Sequence, residues 1–140
     1  MMARRTQESK SYFSVLVDGV MVGNFIKVTG LSTHINIDEE KSTDGKIIEK
    51  TPGTSVCSNV ILYKKSSREQ PFWNWLKTIQ SGTFEKKTIA IELIYRNKPL
   101  RGWKLINCWP CRWSISDIAD DNVVNTVEEI ELVVEEIELL

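Results

Sequence analysis

The sequence predicts a mainly β protein, an antiparallel β-barrel or sandwich with one flanking α-helix around residues 71–81. Three observations lead there. Apolar and polar residues alternate with period two along most of the 140 residues, tight-turn signals separate the alternating runs, and one segment alone switches to helical spacing.

The first run places Phe13, Val15 and Val17 on one face and ends at Asp18-Gly19, a pair that accepts the positive φ angles of a tight hairpin turn. A second strand is expected over residues 20–29, carrying Val22, Phe25 and Val28, with a bulge at Gly23 where the alternation slips. In the third, Ile35 and Ile37 oppose His34, Asn36 and Asp38, the pattern of a sheet wet on one side. Residues 38–53, DEEKSTDGKIIEKTPG, then turn polar, with Ile47-Ile48 the one apolar pair. A segment this long reads as an exposed loop or projecting hairpin and as a contact element.

Strand character returns over 56–63. In QPFWNWLKTIQSG, Phe72, Trp75, Leu76 and Ile79 recur at i, i+3, i+4 and i+7, Pro71 suits the first helical turn and Gly82 the position past the end. The aromatic stripe is core packing, so the helix is expected to lie as a lid over the sheet. Further alternation follows in Ile89, Ile91, Leu93 and Tyr95, in Trp103 and Leu105, and in Cys111, Trp113 and Ile115. Asn97-Lys98-Pro99 turns the chain between the first two of these runs, and the acidic DIADD follows the last. The closing segment 127–139 sets Ile130, Leu132 and Val134 against Glu129, Glu131 and Glu135, which is a strand with a wet face. The expected total is about eight strands and one helix in a single domain, with residues 1–10 as a flexible arm.

A net charge of −1 with 41% hydrophobic residues gives no electrostatic reason to expect nucleic acid or an anionic membrane as partner. Arg4, Arg5 and Lys10 make the head basic while six glutamates crowd the last thirteen residues. Solvated ends are the simpler reading, contact between head and tail of neighbouring copies the other. No apolar run approaches the roughly 20 residues of a membrane-spanning helix, and the N-terminus lacks a secretion-signal pattern. Synthesis in the cytoplasm, with reduced cysteines, is the expectation.

Cys108 and Cys111 stand in C-x-x-C spacing within NCWPCRW. A thioredoxin-type pair needs a helix N-terminus to lower the thiol pKa, and RWSIS downstream alternates like a strand instead. A tight turn there would also put Pro110 where it is disfavoured. His34, Cys57, Cys108 and Cys111 add up formally to a Cys3His zinc set, but only one knuckle-like pair exists, its turn geometry suffers from the same proline, and His34 and Cys57 are scattered singly through the chain. Free thiols on opposite sides of a bend at Pro110 are expected. With no nucleophile motif and no phosphate-binding glycine loop, no catalytic, cofactor or metal site is assigned.

The order of motifs resembles one family. Phe13-x-Val15-x-Val17-Asp18-Gly19, then Val22-Gly23-x-Phe25-x-x-Val28-x-Gly30-Leu31, is similar to the opening of the tail tube proteins of contractile phages and extracellular contractile injection systems. Lys50-x-Pro52-Gly53, Asn59-Val60-x-Leu62, Phe72-x-x-Trp75, the run from Trp103 to Ser114 and Val127-Glu128-x-Ile130-x-Leu132 continue the likeness in order. Lys64-Lys65-Ser66, Cys108 and Cys111 depart from it, which leaves open a main tube subunit or a baseplate-proximal paralogue.

The resemblance implies a tail-tube-like fold, homo-hexameric rings stacked into a hollow inner tube within a contractile sheath, and a lumen conducting cargo. It further implies a sheath protein, baseplate, spike and tube-terminating proteins as partners, and assembly into a phage-like particle. On this view the polar segment becomes the ring-stacking contact, through Asp38, Glu39, Glu40, Lys41, Asp44, Lys46, Glu49 and Lys50. The alternatives are a hexameric tube or carrier protein of type VI secretion, and a zinc- or thiol-dependent protein using Cys108 and Cys111.

Overall fold

The computed structural model describes residues 11–116 and 126–140. The basic arm 1–10 and the DIADD turn lie outside the described residues. Ten strands and one helix are present among the described residues: β1 Ser11–Val17, β2 Val20–Phe25, β3 Lys27–Thr29, β4 Thr33–Lys41, β5 Ile47–Cys57, β6 Val60–Lys65, α1 Pro71–Gln80, β7 Lys87–Tyr95, β8 Lys98–Ile115, β9 Val127–Val133 and β10 Glu136–Leu139.

All pairings are antiparallel, in the order β2-β1-β7-β8-β9-β6-β3, with β10 added to β8 and with β4-β5 standing apart as a two-stranded hairpin. The two ends of that order, β2 and β3, are separated by Ile26 alone, whose N–H donates to the Tyr63 carbonyl at 2.8 Å. One bent strand thus pairs with β1 by its first part (Phe13 opposite Phe25) and with β6 by its last (Lys27 opposite Tyr63). The ladder closes on itself as a barrel. Strand β8 does the same on the far side, pairing with β7 as far as Cys108 and with β9 from Trp109 onward.

Closure needs sharp local geometry, and the sequence supplies it. Asp18 and Gly19 take φ of 48° and 83°, and Arg96 and Asn97 take 50° and 67°, the positive pairs of two-residue hairpin turns. Gly23, at φ 138°, sits beside the slip in the β1–β2 register, as the broken alternation implied. The bend expected at Pro110 is differently made. Asn107 takes a left-handed φ of 57°, tolerable for asparagine, where β8 changes partner, and the register with β9 slips again between Pro110 and Arg112.

Val15, Phe25, Val60, Leu62, Ile89, Ile91, Leu105 and Leu132 fill the interior with no exposure. The helix covers them as expected of a lid. Phe72 meets Phe25 edge to face at 6.0 Å, Trp75 stacks on Phe72 at 6.1 Å, and the Trp75 indole N–H reaches the Glu85 carbonyl at 3.1 Å.

Five expectations are corrected. The segments 20–29 and 56–63 are interrupted at Ile26 and at Ser58-Asn59, because the chain changes pairing partner there, and 127–139 is interrupted at Val134-Glu135, where it keeps β8 as partner but passes the left-handed Asn107. The strand with Ile35 and Ile37 has no dry face within the subunit, since all of β4 is exposed. The register slips between those two isoleucines, and β4 pairs only with β5. Finally, the carboxylates of the last segment do not all face water. Glu128 shares the inner face with Ile130 and Leu132 and is 1% exposed. Its Oε2 accepts from the Ser67 N–H and Gln70 Nε2, both at 3.3 Å, and its Oε1 from Trp113 Nε1 at 3.0 Å, so a buried carboxylate ties the β6–α1 connection to the wall.

Gly30 leads out of the barrel toward the hairpin at φ +88°, and a Cβ there would overlap the Asn59 carbonyl. Gly30→Ala is expected to lower the unfolding free energy by about 2 kcal/mol or more, read by chemical denaturation.

Candidate functional site

The hairpin β4–β5 is the surface that the fold offers without covering. Its strands pair from Thr33 opposite Cys57 out to Lys41 opposite Ile47, with slips between Ile35 and Ile37 and between Glu40 and Lys41. At the first slip, a Cβ on Gly53 would lie 2.8 Å from Asp38 Oδ1 and 3.0 Å from the Asn36 carbonyl, so glycine is what lets the strands approach. The tip closes through Ser42 N to the Lys46 carbonyl at 2.8 Å and Gly45 N to the Ser42 carbonyl at 2.9 Å. Asp44 fastens it from within. Its carboxylate takes the Ser42 hydroxyl and the Lys46 N–H, and these bonds, the hydroxyl first, hold its pKa below the usual aspartate range.

All eight residues expected at a stacking contact lie on this hairpin, divided among two faces and a tip. Asp38, Glu40 and Glu49 share one face, with Glu40 directly opposite Glu49. Glu39 faces Lys50 on the other, beside Ile37 opposite Pro52, while Lys41, Asp44 and Lys46 belong to the tip. Sequence reasoning undervalued the apolar part: Ile35, Ile37, Ile47 and Ile48 are 49–69% exposed. Ile35, Ile37 and Pro52 line a shallow depression with Asn36, Lys50 and Thr51. The alternation of Ile35 and Ile37 was the available signal, but it says that something dries a face without saying what.

The base is pinned to the barrel. Ser32 and Ser58 hydroxyls bond at 2.7 Å, Ser58 N donates to the Ser32 carbonyl at 3.2 Å, and the Cys57 thiol lies 3.5 Å from the Glu135 carbonyl. Glu135 in turn pairs with Lys86 and accepts from Asn107 Nδ2 at 3.2 Å, which together draw its pKa below the ordinary glutamate value.

The three cysteines occupy three environments and are unbridged. Cys108 is fully buried, and burial, reinforced by Cys57 and Glu135, pushes its thiol up to about 12. Cys111 is exposed beyond the bend, and partial burial with Glu131 nearby raises its pKa too. Neither has the electropositive setting of a reactive thiol. His34 is engaged by Asn36 at 3.2 Å, and among the described residues no three His, Cys, Asp or Glu side chains converge as metal ligands, so the formal His34, Cys57, Cys108 and Cys111 set is not assembled.

Two outcomes follow for these groups. Because the folded Glu135 carboxyl is depressed, its stabilisation is present above the unfolded pKa and is lost as pH falls through the folded one. The stability difference between wild type and Glu135→Gln, measured by thermal unfolding, should therefore be largest near neutrality and vanish well below about pH 4. Pulse alkylation read by mass spectrometry should modify Cys111 in the native protein and Cys108 only after unfolding; early labelling of Cys108 would contradict its burial.

The geometry has counterparts among known proteins. Residues 9–138 match the T4-like virus tail tube protein gp19 family. No curated protein sequence matches the chain. Among solved structures, a chain of the PVC sheath-tube complex of an extracellular contractile injection system, in its extended state, is similar at 25% identity and a TM-score of 0.76, covering 91% of this chain and 87% of its own. A chain from the anti-feeding prophage tube-terminating cap shares the fold at 24% identity and a TM-score of 0.75, covering 100% and 95%. A type six secretion system protein shares it more distantly, at 11% identity and a TM-score of 0.57, covering 91% and 82%. Motif order, closed barrel, lid helix and projecting hairpin agree with a match spanning nearly the whole sequence, and the chain belongs to the T4-like tail tube protein family.

Proposed function

We propose that six copies of this single-domain chain form a ring and that rings stack into the hollow inner tube of a contractile injection system or contractile phage tail. Within that machine the tube lies inside a sheath, meets baseplate, spike and tube-terminating proteins at its ends, conducts cargo through its lumen and is driven through a target envelope. The role is structural and not enzymatic. The chain is made in the cytoplasm and assembled into a phage-like particle, and among the described residues no helix is long and apolar enough to cross a membrane.

The observation that carries this reading is the hairpin Thr33–Cys57. An isolated two-stranded hairpin is marginal in water, and this one exposes four isoleucines while pairing with no other strand of the described chain. Its unpaired edges and apolar face invite a neighbouring copy, and closure across subunits removes such edges. The similarity to a chain of a sheath-tube complex, at a TM-score of 0.76 against 0.57 for the type six secretion protein, favours the contractile-particle reading over a type VI secretion tube or carrier.

Negative-stain microscopy of purified protein at high concentration should show rings or tubes. Deleting residues 41–50 leaves Asp38 opposite Thr51 across a two-residue loop, so the fold should survive with unchanged circular dichroism while stacking is lost. Tubes of normal length from that variant would remove the hairpin from the stacking contact.

A further inference from the structure

If rings stack, the hairpin must be received by a different surface of the next copy, because a head-to-tail contact is heterologous. We infer that the acidic face of the hairpin, Asp38, Glu40 and Glu49, docks on the β7–β8 turn of a second copy, at Arg96, Lys98 and Arg101. This inference rests on the stacking role proposed above and names the receiving surface.

Both surfaces carry charge that the subunit leaves uncompensated. Glu40 stands directly opposite Glu49 in the ladder with Asp38 two residues along on the same face, and like charges so placed are destabilising until a cation covers them. Among the described residues the ion pairs are Lys86–Glu135 and Arg112–Glu131, so none of these carboxylates is paired. The same holds for the three cations at the other end of the contact. All three are exposed, and the fold gathers them. Lys98 lies opposite Tyr95 and Arg101 opposite Leu93, while Leu100 is the extra residue of a register slip. That slip turns Lys98 and Arg101, three apart in sequence, to one face. Arg96, in the turn itself, lies 5.2 Å from the Tyr95 ring.

The receiving turn also shows apolar surface that the subunit does not use. Tyr95 is 38% exposed and the bulged Leu100 59%. A rim of three cations matches a strand face of three carboxylates, which is the charge complementarity that sets register and orientation in a contact more than its raw affinity. The hairpin therefore has two duties on two faces. Ile37 and Pro52, beside Glu39 and Lys50 of opposite charge, suit a dry contact with a neighbour in the ring, while the acidic face suits a polar contact with the next ring.

Charge exchange tests the pairing directly. One variant carries Asp38→Lys, Glu40→Lys and Glu49→Lys; a second carries Arg96→Glu, Lys98→Glu and Arg101→Glu; a third combines all six changes. Thermal unfolding and circular dichroism verify that each is folded, and sedimentation with electron microscopy reads the assembled fraction. Each three-residue variant alone should lose about tenfold or more of its stacking. The two mixed together should co-assemble, since each then meets a partner of opposite sign, and the six-residue variant should stack by itself. Normal tubes from either three-residue variant alone, or folded variants that stack neither when mixed nor when combined, would overturn the pairing while leaving the tube reading intact. A wild-type chain that forms neither rings nor tubes would overturn both.

Discussion

Barrel closure is the constraint on which everything else in this chain depends. Seven strands form one antiparallel ladder whose first and last members are parts of the same bent strand, joined at Ile26, so that the interior residues from Val15 to Leu132 are enclosed without leaving a long sheet edge. A second bent strand, β8, distributes its hydrogen bonds between β7 and β9 in the same manner. Two strands that each serve two partners hold the wall together, and left-handed Asn107 and the glycines at Gly23 and Gly30 are where that service is made sterically possible. The helix is secondary to this arrangement. It is held by Phe72 and Trp75 over an interior that the strands have already defined.

Closure also explains why the hairpin is free to be something else. Once the barrel ladder is complete, β4 and β5 have no place in it and stand off on the short connections around Gly30, Ser32 and Ser58. The barrel supplies stability and the hairpin supplies surface. Isoleucines that would be poor choices on a solvated projection are sensible on a segment that the proposed tube covers with another copy of the same chain.

Much of this was legible in the sequence, and what was not has a common cause. Asp18-Gly19, the slip at Gly23, the helix from Pro71 and the alternation of β1, β7 and β9 are local signals, set by φ preferences and by the period of apolar residues, and each was readable. The interruptions at Ile26 and Ser58-Asn59 are changes of partner, and the one at Val134-Glu135 answers the bend of β8 at Asn107; all three are decided by residues far along the chain, and no local pattern marks them. Glu128 was misplaced for a simpler reason. Its parity with Ile130 and Leu132 pointed inward, but glutamate is so seldom buried that the carboxylates of this strand read as wet; the bonds from Ser67, Gln70 and Trp113 that make its burial tolerable come from segments fifteen or more residues away. For the hairpin, the charges were readable and their division between faces was not, because bulges and cross-strand register decide which side each one takes.

The way the hairpin is rooted has a mechanical consequence. Its two strands enter the barrel as β3 and β6, which are themselves neighbours paired at Thr29 and Ile61. A pull on the projection in line with these two strands loads the hydrogen bonds flanking them together in shear instead of opening them one after another from an end. A subunit rooted in this way resists such traction by the sum of its ladder bonds, a property suited to the part proposed for it, a tube that stays whole while it is driven through an envelope.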